Sequence, residues 1–242
     1  MKGVVGFLKS ALDLVYPRNC PFCAMPLEET ERGVVCGACL GKAKPVMPPC
    51  CERCALPFPG NIEGHFTCGY CKDLNFHFSR CVAAYQAEGV VRDCIHQFKY
   101  NRQLHFGPHL ADWIRQGARR LEWSEVDGIV PVALHSRKQR EREFNQAECL
   151  ARAVSKETGV PVMVGNLRRV KETVTQTHLD AKARAANLRG AFAVKKPEGF
   201  QGKRLVLVDD VFTTGATLDG CAKVLSQAGA LDVKVLVLAR GI

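Results

Sequence analysis

Four Cys-x-x-Cys pairs near the N-terminus constrain this chain more than any other feature: Cys20/Cys23, Cys36/Cys39, Cys51/Cys54 and Cys68/Cys71. Twelve residues separate the first two pairs and thirteen separate the last two. A two-residue spacer lets both sulfurs of one turn reach a single ion. Two such pairs about a dozen residues apart supply the four thiolates of tetrahedral zinc. The arrangement occurs twice, with Pro21, Gly37 and Pro57 as turn residues around it. It predicts two closed four-cysteine sites in which structural zinc replaces the core that so small a module cannot build. Joining the first pair to the second and the third to the fourth is the simplest pairing; an interleaved cross-brace is the alternative. Cys50 is the surplus thiol, because Cys51 has the better spacing to Cys54.

Disulfides are the competing use of such a cluster, and the start of the chain argues against them. The apolar run Val4-Val5-Gly6-Phe7-Leu8 stops at Lys9, short of the about 7–15 residues of a secretory core. No segment reaches the about 18 apolar residues of a membrane span. The expectation is a cytoplasmic protein whose thiols stay reduced. Val4, Leu8, Ala11, Leu12 and Val15 recur at helical spacing and predict a short amphipathic helix that packs on the protein, with a membrane anchor as the second reading. Charge adds a second constraint. Thirty-four Lys and Arg face 24 Asp and Glu, a formal +10. Eight zinc-bound thiolates outweigh two Zn²⁺ by four charges, which leaves about +6. An excess of this size favours polyanionic partners.

From about residue 80 the pattern changes to alternating strands and helices. CVAAYQ (residues 81–86), DGIVPVAL (127–134), VPVMV (160–164), RLVLVDD (204–210) and VKVLVLA (233–239) read as strands, several almost purely apolar, as buried parallel strands are. Between them lie helical stripes: Val90, Val91, Cys94, Ile95 and Phe98; Leu110, Ala111 and Ile114; Phe144, Ala147, Leu150, Ala151 and Val154, ending near Gly159. A last helix spans about 218–228 and ends at Gly229. This is the signature of an α/β fold with a parallel sheet flanked by helices. The link near residues 72–79 divides the chain into residues 1–75, helix plus zinc module, and residues 76–242.

The sharpest motif runs over residues 205–217. A hydrophobic strand leads into Asp209 and Asp210, then Thr213, Thr214, Gly215, Ala216 and Thr217 before a helix start. A strand delivers such a loop to the carboxyl edge of the sheet, where α/β proteins bind ligands. Backbone N–H groups at a helix start, with a glycine for close approach, form a phosphate cradle. Two carboxylates just before it suit a ribose diol, each accepting a hydroxyl hydrogen bond. Neither G-x-x-x-x-G-K-[ST] nor G-x-G-x-x-G occurs, so a Walker loop and a dinucleotide fingerprint are excluded.

VLVDDVFTTGAT (206–217) resembles the phosphoribosyl-pyrophosphate (PRPP) motif of type I phosphoribosyltransferases. The chain as a whole resembles the ComF (ComFC/GntX-like) family, through YPRNCPFC, FKYNRQLHFGPHLADWI, VPVALHSRKQREREFNQAECLARAV, residues 176–192 and the PRPP motif. The family usually has Arg-Gly-Phe-Asn-Gln where this chain has Arg142-Glu143-Phe144-Asn145-Gln146, which places a negative charge near expected phosphate. The resemblance implies that Asp209 and Asp210 hold the ribose hydroxyls and that residues 213–217 hold the 5′-phosphate. The turn with Leu134, His135, Ser136, Arg137 and Lys138 matches the pyrophosphate loop by place. The basic segment 168–187 resembles the mobile loop that closes over PRPP, and Lys99 is a weaker candidate.

By the same resemblance, Mg²⁺ accompanies PRPP and the zinc module is a double ribbon. The implied role is PRPP binding in competence-related uptake and processing of single-stranded DNA, with competence or recombination proteins as partners. The alternative is an active glycosyltransferase that moves phosphoribosyl from PRPP to a nitrogen acceptor in nucleotide metabolism, by displacement of pyrophosphate.

Overall fold

A computed structural model describes residues 18–28, 33–62, 64, 66–100, 103–171 and 190–241. The predicted N-terminal helix and most of the basic segment 168–187 lie outside them. In chain order the elements are α1 (Gly37–Leu40), α2 (Gly69–Lys72), β1 (Arg80–Gln86), α3 (Gly89–Tyr100), α4 (Gly107–Ala118), β2 (Gly128–Pro131), α5 (Ser136–Arg142), α6 (Gln146–Thr158), β3 (Leu167–Arg169), β4 (Phe192–Val194), β5 (Arg204–Phe212), α7 (Ala216–Gln227) and β6 (Asp232–Arg240).

Four strands form a parallel sheet in the order β1-β6-β5-β2, while β3 and β4 form a separate antiparallel pair. The strands are apolar on both sides because both faces are covered. Successive residues of β5 divide between two cores, as a period of two requires. Val206 and Val208 join Val82, Leu236 and Leu238 under α3, α4 and α6. Leu205 and Leu207 join Ala83, Val235 and Val237 under α7.

The cysteine module follows this division. Cys20, Val35, Cys36 and Cys39 belong to the first core, and Cys51, Cys54, Cys68 and Cys71 to the second. The two cysteine groups therefore pack on opposite faces of one sheet. The chain between them runs along the outer edge of β1: Val46 donates to the Ala84 carbonyl, Gln86 to Lys44, and Cys81 to Glu52. That edge would otherwise offer unpaired backbone groups to any passing strand.

Two strands differ from expectation. Residues 160–164 make only one parallel bridge, Val162 to Ile129. Pro161 brings no N–H to a ladder, and Gly165 turns the chain at φ +77°. β5, by contrast, runs past the two acids to Phe212, because β6 continues beside it through the Val211–Ala239 and Phe212–Arg240 pairs. Gly159 ends α6 in the left-handed conformation, as its position suggested.

Candidate functional site at the carboxyl edge of the sheet

Asp209 and Asp210 sit inside β5, and both are buried. Consecutive strand residues point to opposite faces, and the surroundings of the two acids differ accordingly. The Lys99 ammonium, brought by the last turn of α3, pairs with Asp210 Oδ2. Asp209 Oδ1 accepts the Asp210 amide at 2.9 Å. Burial and then the neighbouring Asp210 charge push the Asp209 carboxyl up to about 7, against the pull of Lys99. Two buried carboxyls at one edge of the sheet are ready acceptors for a cation or for hydroxyl donors.

Beyond Phe212 the chain turns through residues 213–215 into α7. Gly215 has φ +81°, and a Cβ there would stand 2.6 Å from Phe212 Cζ and 3.1 Å from Phe76 Cε1. Conformation and space both require glycine. No side chain caps the helix start, which leaves its first amides without an intrahelical acceptor.

Cations gather opposite. Lys138 is depressed by burial and then by Arg169, Arg142 and Lys99, with Glu141 opposing, so four basic side chains act on one region. Arg142 donates to Gln146 Oε1 at 2.9 Å and lies over the Tyr100 ring at 5.0 Å. Arg169 lies over Phe192 at 5.5 Å from the ring centre. His135 precedes α5 and its Nδ1 accepts the Arg137 amide, while Arg137 pairs with Glu141 at 3.0 Å. His135, Ser136, Gln139, Asn145, Arg168 and Arg169 line one cleft of about 640 Å³. Glu143 ends α5 at φ +67°. That left-handed position suits the glycine of the related motif, and a side chain there costs about 1–2 kcal/mol.

Of the residues singled out from sequence, Asp209, Asp210 and the 213–217 turn therefore share one edge with Lys99 and Lys138. Lys99, the weaker candidate from the sequence, pairs directly with Asp210. Arg240 was missed entirely. It is buried at the end of β6, beside the turn, where a C-terminal arginine gives no signal in the sequence.

The cysteines form two groups, Cys20, Cys23, Cys36, Cys39 and Cys51, Cys54, Cys68, Cys71, with sulfurs of each group within 4.8 Å of one another. This is the sequential pairing. Cys23 and Cys36 Sγ are 3.5 Å apart, and Cys54 and Cys68 Sγ 3.7 Å apart. Zinc–sulfur bonds of about 2.3 Å in a tetrahedron put sulfurs about 3.8 Å apart, so the groups fit the ion. The protons of the second group are unevenly held. A hydrogen bond from Cys54 takes the Cys51 thiol down to about 4, while burial pushes Cys71 up to about 12. A dication between them would displace those protons and remove the conflict. Cys50 stands outside both groups.

Two family models match the chain, one over each of its parts. Residues 11–74 match the double zinc ribbon domain family and residues 145–242 the phosphoribosyl transferase domain family. The glutamine PRPP amidotransferase of B. subtilis gives a TM-score of 0.42 at 19% identity, over 60% of this chain and 30% of that one. The DNA utilization protein YhgH of Salmonella typhi is 34% identical over 94% of this chain and 99% of its own length. Competence protein F of Haemophilus influenzae is 31% identical over 92% and 96%, and competence protein ComFC of Bacillus subtilis 24% over 85% and 84%. The chain belongs to the family of these proteins, the ComF family, with a double zinc ribbon joined to a phosphoribosyltransferase-type sheet.

Proposed function

We propose that this protein binds PRPP with Mg²⁺ at the carboxyl edge of β5 and serves the handling of single-stranded DNA in competence-related uptake. The observation that carries the reading is the buried Asp209–Asp210 pair set directly before the uncapped start of α7. Asp209 and Asp210 accept the ribose hydroxyls. Thr213, Thr214, Gly215, Ala216 and Thr217 offer their amides and hydroxyls to the 5′-phosphate. His135, Ser136, Arg137 and Lys138, with Arg169 beside them, meet the diphosphate, and the metal arrives with it. Charge-assisted bonds to phosphate are stronger and shorter than neutral ones, so a cluster of cations is well matched to that ligand.

The DNA role rests on family membership, since relatives carry the names DNA utilization protein and competence protein F, and on the net positive charge. Zinc in both cysteine groups, the division at residues 75 and 76, and a cytoplasmic setting belong to the same proposal. No helix among the described residues is long and apolar enough to cross a membrane.

Calorimetry of the zinc-loaded protein tests it. PRPP with Mg²⁺ should bind wild type, and Asp209→Asn with Asp210→Asn should weaken binding tenfold or more, since each charge-assisted bond contributes about 1.5–3 kcal/mol. Equal binding by the double variant would refute the diol assignment. Short single-stranded DNA should bind with little base preference, log K falling by about 0.7 per phosphate contact for each unit of log[salt]. Binding indifferent to salt would remove the DNA half of the proposal.

A further inference from the structure

Arg240 carries a charge into the interior with no carboxylate partner among the described residues. It is 7% exposed. Its guanidinium donates to the carbonyls of Phe212 at 3.3 Å and Thr213 at 3.2 Å, and to that of Gly241. It also reaches Cys54 Sγ at 3.9 Å and lies over the Phe212 ring at 4.9 Å. Its Nε has no hydrogen-bond partner. A buried guanidinium without an anion is costly. The group that can supply the anion is the second cysteine tetrad. Four thiolates around one Zn²⁺ carry a net charge of about −2, and Cys54 is one of the four.

The same side chain thus touches a metal-ligand sulfur on one side and the first carbonyls of the phosphate turn on the other. Other contacts tie these two places together. Arg53, within the third Cys-x-x-Cys pair, donates to the Phe76 carbonyl at 3.1 Å. Phe76 stacks on Phe78 at 4.7 Å and meets Phe212 edge-on at 6.2 Å, and together with Phe212 it faces Gly215. The His77 amide donates to Asp219 Oδ1 in the first turn of α7 at 2.7 Å.

We propose that Arg240 is a positioning residue that couples the second cysteine tetrad to the phosphate turn, so that metal occupancy of that tetrad sets the shape of residues 213–217. The first tetrad, on the opposite face, has no part in this. The inference rests on the PRPP reading for its ligand, but the link between tetrad and turn stands on the contacts alone. A coupling of this kind is reciprocal: whatever factor the metal adds to PRPP affinity, PRPP adds to metal affinity.

The test uses the full zinc-loaded chain. A chromophoric chelator withdraws the two ions, with and without saturating PRPP and Mg²⁺, while hydrogen exchange is followed at residues 212–218. In wild type, withdrawal from the second tetrad should speed exchange there, and PRPP should hold that one ion more tightly. Arg240→Met should weaken one of the two zinc steps about 10–100-fold, as losing an outer-shell partner does, leave the other step unchanged, and abolish the effect of PRPP.

The guanidinium meets the sulfur through Nη2 and the turn carbonyls through Nη1, whereas Arg240→Lys keeps a charge near Cys54 but has a single nitrogen. It should hold zinc within threefold of wild type and still exchange fast at the turn, which separates coupling from a failure to fold. The proposal is overturned if the two zinc steps are equal in Arg240→Met and wild type, if exchange at 212–218 ignores zinc, or if Arg240→Lys matches wild type in both readouts. Failure of PRPP to bind wild type at all would sink the PRPP reading instead, while the zinc and exchange arms would still decide the coupling.

Discussion

The two zinc ribbons share a spacing and a chemistry, yet they are fastened to the sheet in different ways. The first is held on the helical face by His109 of α4. Its Nε2 accepts the Val34 amide at 3.1 Å and the Val35 amide at 3.3 Å, and Phe22 packs against Phe106 at 5.9 Å. The second is held on the other face by Arg240, by the phenylalanine cluster and by the His77–Asp219 contact, all of them at the phosphate turn. A neutral ring joins the first ribbon to the domain, and a buried cation joins the second. Equal motifs can thus have unequal duties: the first ribbon covers helices, and the second supports the candidate site.

The largest effect should come from breaking each tetrad in turn. Cys54→Ser should disorder the turn and lose at least two phosphate bonds. At about 1.5–3 kcal/mol each, that lowers PRPP affinity about a hundredfold or more. Cys39→Ser, on the other face, should leave affinity within about twofold. Calorimetry on both variants decides, and equal losses would erase the distinction between the ribbons.

Next in size is the fastening of the first ribbon. His109→Ala leaves two backbone amides without their acceptor, at about 1–3 kcal/mol for each one buried. Val35 is buried and Val34 half-buried, so denaturant unfolding should show a loss of about 2–3 kcal/mol. Hydrogen exchange over residues 33–40 should rise, with PRPP affinity unchanged. A fall in that affinity would mean the first ribbon also reaches the site.

How much of this was readable in advance follows from which signals are local. Parallel strands buried on both faces are apolar runs, rich in Val, Leu and Ile in β2, β5 and β6 and in small residues in β1, so all four stood out, and Gly159 marked the end of α6. Tetrad spacing is local too, although the pairing required the fold. In the sequence β5 reads as residues 204–210, both acids included, and its last two residues did not show, because Val211 and Phe212 lead into a threonine-glycine turn. What keeps Val211 and Phe212 in the strand is the backbone of β6. Residues 160–164 erred the other way: an apolar run promised a strand that Pro161 and Gly165 curtailed. The diacid, the threonine turn and Lys138 could be named as candidates because a short motif holds them. Lys99 could be ranked only as a weaker candidate, and Arg240 not at all. Lys99 meets Asp210 across more than a hundred residues of sequence, and Arg240 meets Cys54 across 186.

pH should separate the two faces further, with opposite signs. The Asp209 carboxyl is raised in the fold to about 7 from the usual 3.8. The folded state therefore holds a proton that the unfolded chain has released between those values, so stability falls as pH rises from about 4 to 7, and the cost is full above 7. Asp209→Asn should remove that slope and raise the melting temperature at pH 8 more than at pH 5. His109 behaves inversely. Burial holds its ring below the usual 6.5 while Asp112 opposes, so the unfolded chain takes up the proton first and stability is lost as pH falls below about 6.5. His109→Gln should flatten that acid-side slope alone. Melting curves across pH 4–9 check both, and a shared slope would mean the groups do not titrate as placed.

The smallest expected effect concerns Tyr70, in the helical turn of the fourth Cys-x-x-Cys pair. Its hydroxyl points at the Thr214 carbonyl, at 3.5 Å, and the residue is 47% exposed. At that distance and exposure water competes well, and a neutral hydrogen bond contributes about 0.5–1.5 kcal/mol even when well made. Tyr70→Phe keeps the ring and removes only the hydroxyl. It should therefore lower PRPP affinity less than threefold and leave both zinc steps where they are. Set beside Arg240→Met, this variant asks whether the second ribbon acts through its surface or through its buried cation. A tenfold loss in Tyr70→Phe would transfer the coupling from Arg240 to the exposed contact, and a loss below threefold leaves it with the guanidinium that touches sulfur and turn at once.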